Sequence, residues 1–197
     1  CRDIANKQTP LILEVPKDHV TYEMVERSFT SSWKFGTQIP VIRRIFKIIE
    51  DEAALQSYDK YKKAVGNEVS TYCGTMRKCT LGAYGNTKLC SDDTCGICSI
   101  LKTLFKAGLG NSTGAFGPGV YSSSASNKAY SYTNSGAGVM LLAKVVLGTV
   151  RTVNSWNEVL ACPRGFNSVV FDRQNGWLNE TVVYSDDAIR PDFLIVF

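Results

Sequence analysis

Two tyrosines, Tyr121 and Tyr132, stand eleven residues apart across a short Ser/Lys-rich segment, and glycines at 114, 117 and 119 precede them. Glycine frees the backbone from side-chain sterics, so another surface can approach such a loop closely. The segment between the tyrosines can form a helix capped by one of its serines. Loop, tyrosine, capped helix and second tyrosine make a clamp for a flat aromatic ring. The same pattern also suits an ordinary turn before a short helix, with both tyrosines half-buried in a core.

A second group of residues points to metal chemistry. Cys79, Cys90, Cys95 and Cys98 fall within 20 residues, while Cys1, Cys73 and Cys162 are scattered. Cys95 and Cys98 form a Cys-x-x-Cys knuckle, a spacing that lets two thiolates meet one tetrahedral ion. With Cys79 and Cys90 the gaps are ten, four and two residues, which suits a structural zinc. Two disulfides in an oxidising compartment, or plain reduced thiols, are the other readings of this spacing. Asn111-Ser112-Thr113 and Asn179-Glu180-Thr181 match the glycosylation acceptor pattern, which leans slightly toward the secreted reading, although the second falls in a strand-like segment and is discounted.

Two further segments are Thr71-Tyr72-Cys73-Gly74-Thr75-Met76-Arg77, ending a strand-like run, and Leu178-Asn179-Glu180-Thr181-Val182-Val183-Tyr184, near the C-terminus. With the tyrosine loop they resemble, in order and spacing, the catalytic domain of the poly(ADP-ribose) polymerase-like, diphtheria-toxin-type ADP-ribosyltransferases. That family carries a His-Gly-Thr/Ser strand end, a Gly-x-Gly-Ile-Tyr loop with a second tyrosine eleven residues on, and a late Asn-Glu-Tyr-Val-Val-Tyr strand. Residues 22–49 look like its opening helix and strand, so the resemblance covers most of the chain. Two positions depart from it. Cys73 stands where the family has histidine, and Ala129 where many members place a serine that bonds the nicotinamide amide. The one histidine, His19, lies far away in a Pro-Lys-Asp-His turn.

The resemblance implies an ADP-ribosyltransferase fold, with split antiparallel β-sheets flanked by short helices and NAD+ in the cleft between them. It implies one catalytic domain over residues 1–197, and the cysteine spacing adds a zinc-binding insertion at 79–98. The activity implied is that of a glycosyltransferase, moving a single ADP-ribose from NAD+ to a macromolecular acceptor and releasing nicotinamide. Breaking the nicotinamide–ribose bond builds positive charge on the ribose, so the site needs an anion at the sugar and a platform for the ring. Glu180 matches the family's catalytic glutamate; without the resemblance it would read as a surface strand residue. Tyr121 and Tyr132 would sandwich the nicotinamide, and Gly74 would offer backbone N–H and C=O to its amide, beside Thr75. Lys128 would lie near the phosphates or the acceptor, or be one more exposed helix lysine. Cys73 takes the place of a histidine that bonds the adenosine-side ribose; a thiol is a poorer partner there, and the residue could instead join the zinc set or fill a core position. A weak or inactive NAD/ADP-ribose- or protein-binding module, and an NAD glycohydrolase, are the alternative functions.

The elements that would hold these residues are legible from periodicity. Residues 11–15 read as a strand, 22–33 as a helix with Val25, Phe29 and Trp33 on one face, and 41–49 as a strand rich in β-branched residues. Residues 50–65 form a charged amphipathic helix whose Tyr58, Lys60, Tyr61, Lys62 and Lys63 suit a solvated face better than a nucleic-acid patch. A strand over 68–73, a helix over 99–106, a long buried strand over 139–150, and strands at 168–172, 180–184 and 193–197 follow. Pro191 suits an edge or a strand opening. Helices early and strands late indicate an α+β domain. Gly108, Gly110, Gly114, Gly117 and Gly119 lack the Gly-x-Gly-x-x-Gly spacing of a dehydrogenase, so a chain that handles NAD+ here would break it rather than reduce it.

Composition sets the outer bounds. The 197 residues, 44% hydrophobic and 20% charged, suit one ordinary globular domain. The net charge of +4 could help hold an anionic dinucleotide but does not single out nucleic acid, which remains open only as an acceptor. No apolar run is long enough to span a bilayer and the N-terminus lacks a secretory pattern, so no membrane partner and an intracellular setting, cytoplasmic or nuclear, are expected. A start at Cys1 suits a fragment of a longer protein.

Overall fold

A computed structural model describes residues 10–34, 36–109, 114–133 and 138–197. It is a mixed α+β structure with two sheets. The first has the order β1 (Leu11–Glu14), β2 (Arg44–Ile49), β9 (Ile189–Val196), β5 (Val139–Val146), β3 (Glu68–Gly74), with every neighbouring pair antiparallel. The second runs β4 (Val120–Ser122), β8 (Glu180–Val183), β7 (Ser168–Phe171), β6 (Val150–Val153). Among the described residues four α-helices accompany them: α1 (Val20–Ser31), α2 (Glu52–Val65), α3 (Gly96–Thr103) and α4 (Ser126–Tyr130).

Side-chain alternation along the central strands builds two apolar layers on the first sheet. On β9, Phe193 and Ile195 join Ile45, Met140 and Leu142 on one face, where α1 lays Tyr22, Val25 and Phe29. Leu194 and Val196 face the other way, with Phe46, Ile48 and Leu141, and meet Ile97 and Leu101 of α3. Each such side chain, fully buried, contributes about 1.5–3 kcal/mol. That is why β5 and β9 read as near-continuous apolar runs. Val183 of β8 packs into the α3 layer, which brings the second sheet against the first. The two sheets also join through backbone: Tyr72 N–H donates to Ser123 O at 2.7 Å, and Ser123 N–H to Tyr72 O at 2.9 Å. The end of β3 and the residue after β4 thus form one corner.

Several expectations need correction. The second sheet is mixed, because β6 and β7 pair in parallel, whereas split antiparallel sheets were expected. The run over 139–150 is two strands, broken at Gly148, whose φ of 55° suits glycine and turns the chain. The helix expected over 99–106 begins at Gly96 and stops at Thr103, because Leu104 turns to φ 60°. No serine caps α4. Ala125 holds the cap position, while Ser126 Oγ donates instead to Phe29 O at 2.8 Å. Pro191 lies inside a central strand, yet β2 pairs only with residues 193–196, so the proline removes no ladder bond on that side. Among the described residues no helix is long and apolar enough to cross a membrane. Cys1 and the Asn111 acceptor sequence lie outside the described residues.

Candidate functional site

The corner between the sheets opens into a cavity of about 760 Å³. Cys73, Gly74, Thr75, Tyr121, Lys128, Tyr132 and Glu180 all line it, although they come from four separate elements and their flanks. Gly74 ends β3 against α4: a Cβ there would sit 1.8 Å from Ala129 O, so only glycine permits this backbone-to-backbone contact. The contact seats α4, and α4 carries Lys128.

Lys128 Nζ lies 2.9 Å from Glu180 Oε1, donates to Tyr132 Oη at 2.7 Å and sits 4.6 Å above the Tyr132 ring. The pair is sequestered, with side-chain exposures of 13% and 6%. Burial pushes the Glu180 carboxyl above its usual range, and the charges of Lys128 and Arg173 pull it back only in part. Lys128 feels the same burial, which favours its neutral form, but Tyr132 and Glu180 outweigh that and hold it firmly cationic. Glu180 is therefore a carboxylate kept in a low-dielectric wall by one ammonium group.

The two tyrosines differ in role. Tyr121 is half-buried; its hydroxyl accepts from Phe116 N–H at 2.9 Å and donates to Gly117 O at 2.8 Å, which closes the glycine loop. Burial, then the nearby Glu180 charge, push its hydroxyl pKa up. Tyr132 is 54% exposed and is steered by Lys128. Gly117 itself adopts φ 81°, and a Cβ would fall 2.0 Å from Leu160 O, so glycine is required there.

Cys73 is buried, and desolvation pushes its thiol up to about 12, which makes it a neutral wall. It stays outside the metal-type cluster, contrary to one of its readings. That cluster comprises Cys79, Cys90, Cys95 and Cys98, whose sulfur atoms all lie within 4.8 Å of one another. Cys79 and Cys98 Sγ are 3.6 Å apart and Cys79 and Cys95 Sγ 3.8 Å, close to the roughly 3.8 Å edge of a tetrahedron with ~2.3 Å metal–sulfur bonds. The described cysteines are free thiols. Backbone N–H groups of Lys78, Leu81 and Cys90 reach Cys95, Cys79 and Cys98 Sγ at 3.3, 3.4 and 3.5 Å. Burial disfavours the Cys95 thiolate, but the N–H groups of Lys78 and Cys98 and the thiols of Cys90 and Cys79 draw it down to about 7. Four thiols so arranged could hold a metal such as zinc. The cluster is also stitched to the cavity wall: Ile97 N–H donates to Met76 O at 3.3 Å, and a Cβ on Gly96 would lie 2.2 Å from Thr75 Oγ1.

Three contributors escaped the sequence reading. Asn179, next to Glu180, is buried; its Oδ1 accepts from Ser123 Oγ and from Ser124 N–H, and its Nδ2 donates to Ser124 Oγ at 2.6 Å. It pins β8 to the turn before α4, and its place in the Asn-Glu-Thr segment was the signal. Trp156 lines the rim with Arg173 4.6 Å over its ring, and Asp93 reaches the cavity from the cysteine segment. Both come from loops with no local pattern. Scanned against models of known protein families the chain matches none, and a search of curated proteins returns no relative.

Proposed function

We propose that this chain is an NAD-dependent ADP-ribosyltransferase with the two-sheet fold of that family, moving a single ADP-ribose to a macromolecular acceptor and releasing nicotinamide. The observation that carries the reading is the sequestered Glu180–Lys128 pair, sharing one cavity with Gly74, Tyr121 and Tyr132. On this reading the nicotinamide rests against the tyrosines and its amide meets the backbone of Gly74. The C1′–N bond breaks with its electron pair leaving on the nicotinamide, and the Glu180 carboxylate stabilises the cationic ribose. The ion pair uses Oε1 of Glu180, and the second oxygen accepts a ribose hydroxyl. An acceptor nucleophile then bonds C1′ and its proton passes to the carboxylate, whose burial suits it to that step. Cys79, Cys90, Cys95 and Cys98 would hold zinc, which would supply structure beside the cavity.

The neutral thiol of Cys73 favours a second reading, a module that binds NAD+ or ADP-ribose without turnover, since it replaces a better hydrogen-bond partner. Incubation with labelled NAD+ separates the possibilities. Transfer gives free nicotinamide plus label on macromolecules, and Glu180→Gln lowers release by about 100-fold or more. Binding without release supports the module, and release without labelling supports a glycohydrolase. Undiminished release by Glu180→Gln overturns the role given to Glu180.

A further inference from the structure

Two carboxylates and two ammonium groups line the cavity among the described residues: Asp93, Glu180, Lys106 and Lys128. Three of them are committed. Lys128 pairs with Glu180 at 2.9 Å, and Lys106 Nζ lies 3.1 Å from Asp186 Oδ2 outside the cavity wall. Asp93 makes no hydrogen bond or ion pair with any described residue. It is an exposed carboxylate that no described residue satisfies.

Its position is nonetheless fixed. The turn 92–95 is held by Asp92 Oδ1, which accepts from Thr94 N–H at 2.8 Å, and by Cys95 N–H, which donates to Asp92 O at 3.1 Å. Cys90 and Cys95 of the metal-type cluster anchor both sides of this turn. Asp93 therefore stands in a hydrogen-bonded turn of the cysteine segment and lines the same cavity as Cys73 and Thr75.

We infer that Asp93 recognises the free 2′,3′-diol of the adenosine ribose and makes the site selective for NAD+ over NADP+, an inference that rests on the transferase reading above. A dinucleotide has two riboses. The one at the scissile bond belongs to Glu180, and the cysteine segment that carries Asp93 closes through Gly96 against Thr75, beside Cys73, which gives its carboxylate the other ribose. An ionised carboxylate accepts both hydroxyl donors of a vicinal diol, which neutral Cys73 beside it cannot match. A 2′-phosphate removes a donor and brings a near-dianion against the same carboxylate, a like-charge approach worth about tenfold even in a solvated mouth. The same acid–ribose logic operates in other dinucleotide sites on a different fold.

The test is calorimetric binding of NAD+ and NADP+ to the wild type, Asp93→Asn, Asp93→Lys and the control Asp59→Asn, an exposed aspartate outside the cavity, with melting and metal content checked for each. The wild type and Asp59→Asn should prefer NAD+ by about tenfold or more. Asp93→Asn should bring the two affinities within about threefold, and Asp93→Lys should reverse the order. An unchanged ratio in both Asp93 variants overturns this inference, while NAD+ binding with Glu180-dependent nicotinamide release leaves the transferase reading standing. A wild type that binds neither dinucleotide overturns both.

Discussion

Replacing Lys128 by methionine leaves Glu180 buried without its counter-ion. The pair is 2.9 Å long and its side chains are 13% and 6% exposed, so the ammonium is the main force keeping that carboxyl ionised. Breaking such a pair costs about 3–5 kcal/mol. The lower end applies because Arg173 still acts on Glu180 and the carboxyl can protonate instead of remaining charged. About 3 kcal/mol corresponds to roughly two pH units. Burial already pushes the carboxyl up and Lys128 opposes it, so removing Lys128 moves the titration further upward. The acid limb of kcat/KM for nicotinamide release should therefore rise by about two units in Lys128→Met, with activity recovered at alkaline pH, and Lys128→Arg should restore the limb. Stability carries the same sign. Below the ordinary carboxylate range both states are protonated and the charge contributes nothing. As pH rises, the unfolded chain ionises first, so the variant loses stability until pH passes its raised folded value. Release measured from about pH 5 to about pH 9 checks the claim. A lowered rate with an unmoved acid limb would refute it, and would assign Lys128 to direct contact with substrate.

Two further outcomes follow from the remaining clusters. Native mass spectrometry should find one metal ion per chain, and chelation should lower stability by at least about 3 kcal/mol, roughly 10 °C in Tm, rather than merely slow turnover; native protein that is metal-free with four alkylatable thiols among Cys79, Cys90, Cys95 and Cys98 would sink the metal reading. Glu50, 7% exposed, has an Oε1 with no hydrogen-bond partner, and burial, opposed in part by Arg190, pushes its carboxyl up to about 7. Folding stability should fall as pH rises from the ordinary carboxylate range through about 7, by about 3 kcal/mol from this group, and Glu50→Gln should remove that slope in urea titrations; a slope that survives the substitution would mean another group controls it.

What the sequence made legible, and what it hid, divides along contact range. The apolar runs of β5 and β9 announce buried strands, and the Cys-x-x-Cys knuckle announces a tetrahedral thiol site, because both signals are local. The parallel pairing of β6 with β7 is not local: it matches Val150–Val153 with Ser168–Phe171 across a loop, and nothing in either segment encodes direction. The same holds in the cavity. Glu180, Tyr121, Gly74 and Lys128 were named from motifs, but the ion pair joining α4 to β8 depends on Gly74 admitting Ala129 at close range. The absent serine cap on α4 has a tertiary cause too, since Ser126 is drawn to Phe29 of α1 and Ser123 to Asn179.

Cys73 occupies a position with little room for a larger ring. Tyr72 and Cys73 point to opposite faces of β3: Tyr72 joins the α1 layer and bonds Ser28 Oγ at 2.9 Å, while Cys73 joins the layer of Ile97, Leu101 and the cluster cysteines. A histidine at 73 would have to fit among those buried side chains, where added volume costs about 1–3 kcal/mol. A small neutral thiol instead lets the cysteine segment close against β3, through Ile97 N–H to Met76 O and Gly96 against Thr75. On the transferase reading, that closure carries Asp93 to the cavity as a replacement polar group. On that same reading, recognition of the distal ribose falls to a turn between two cluster cysteines and not to the strand residue at 73.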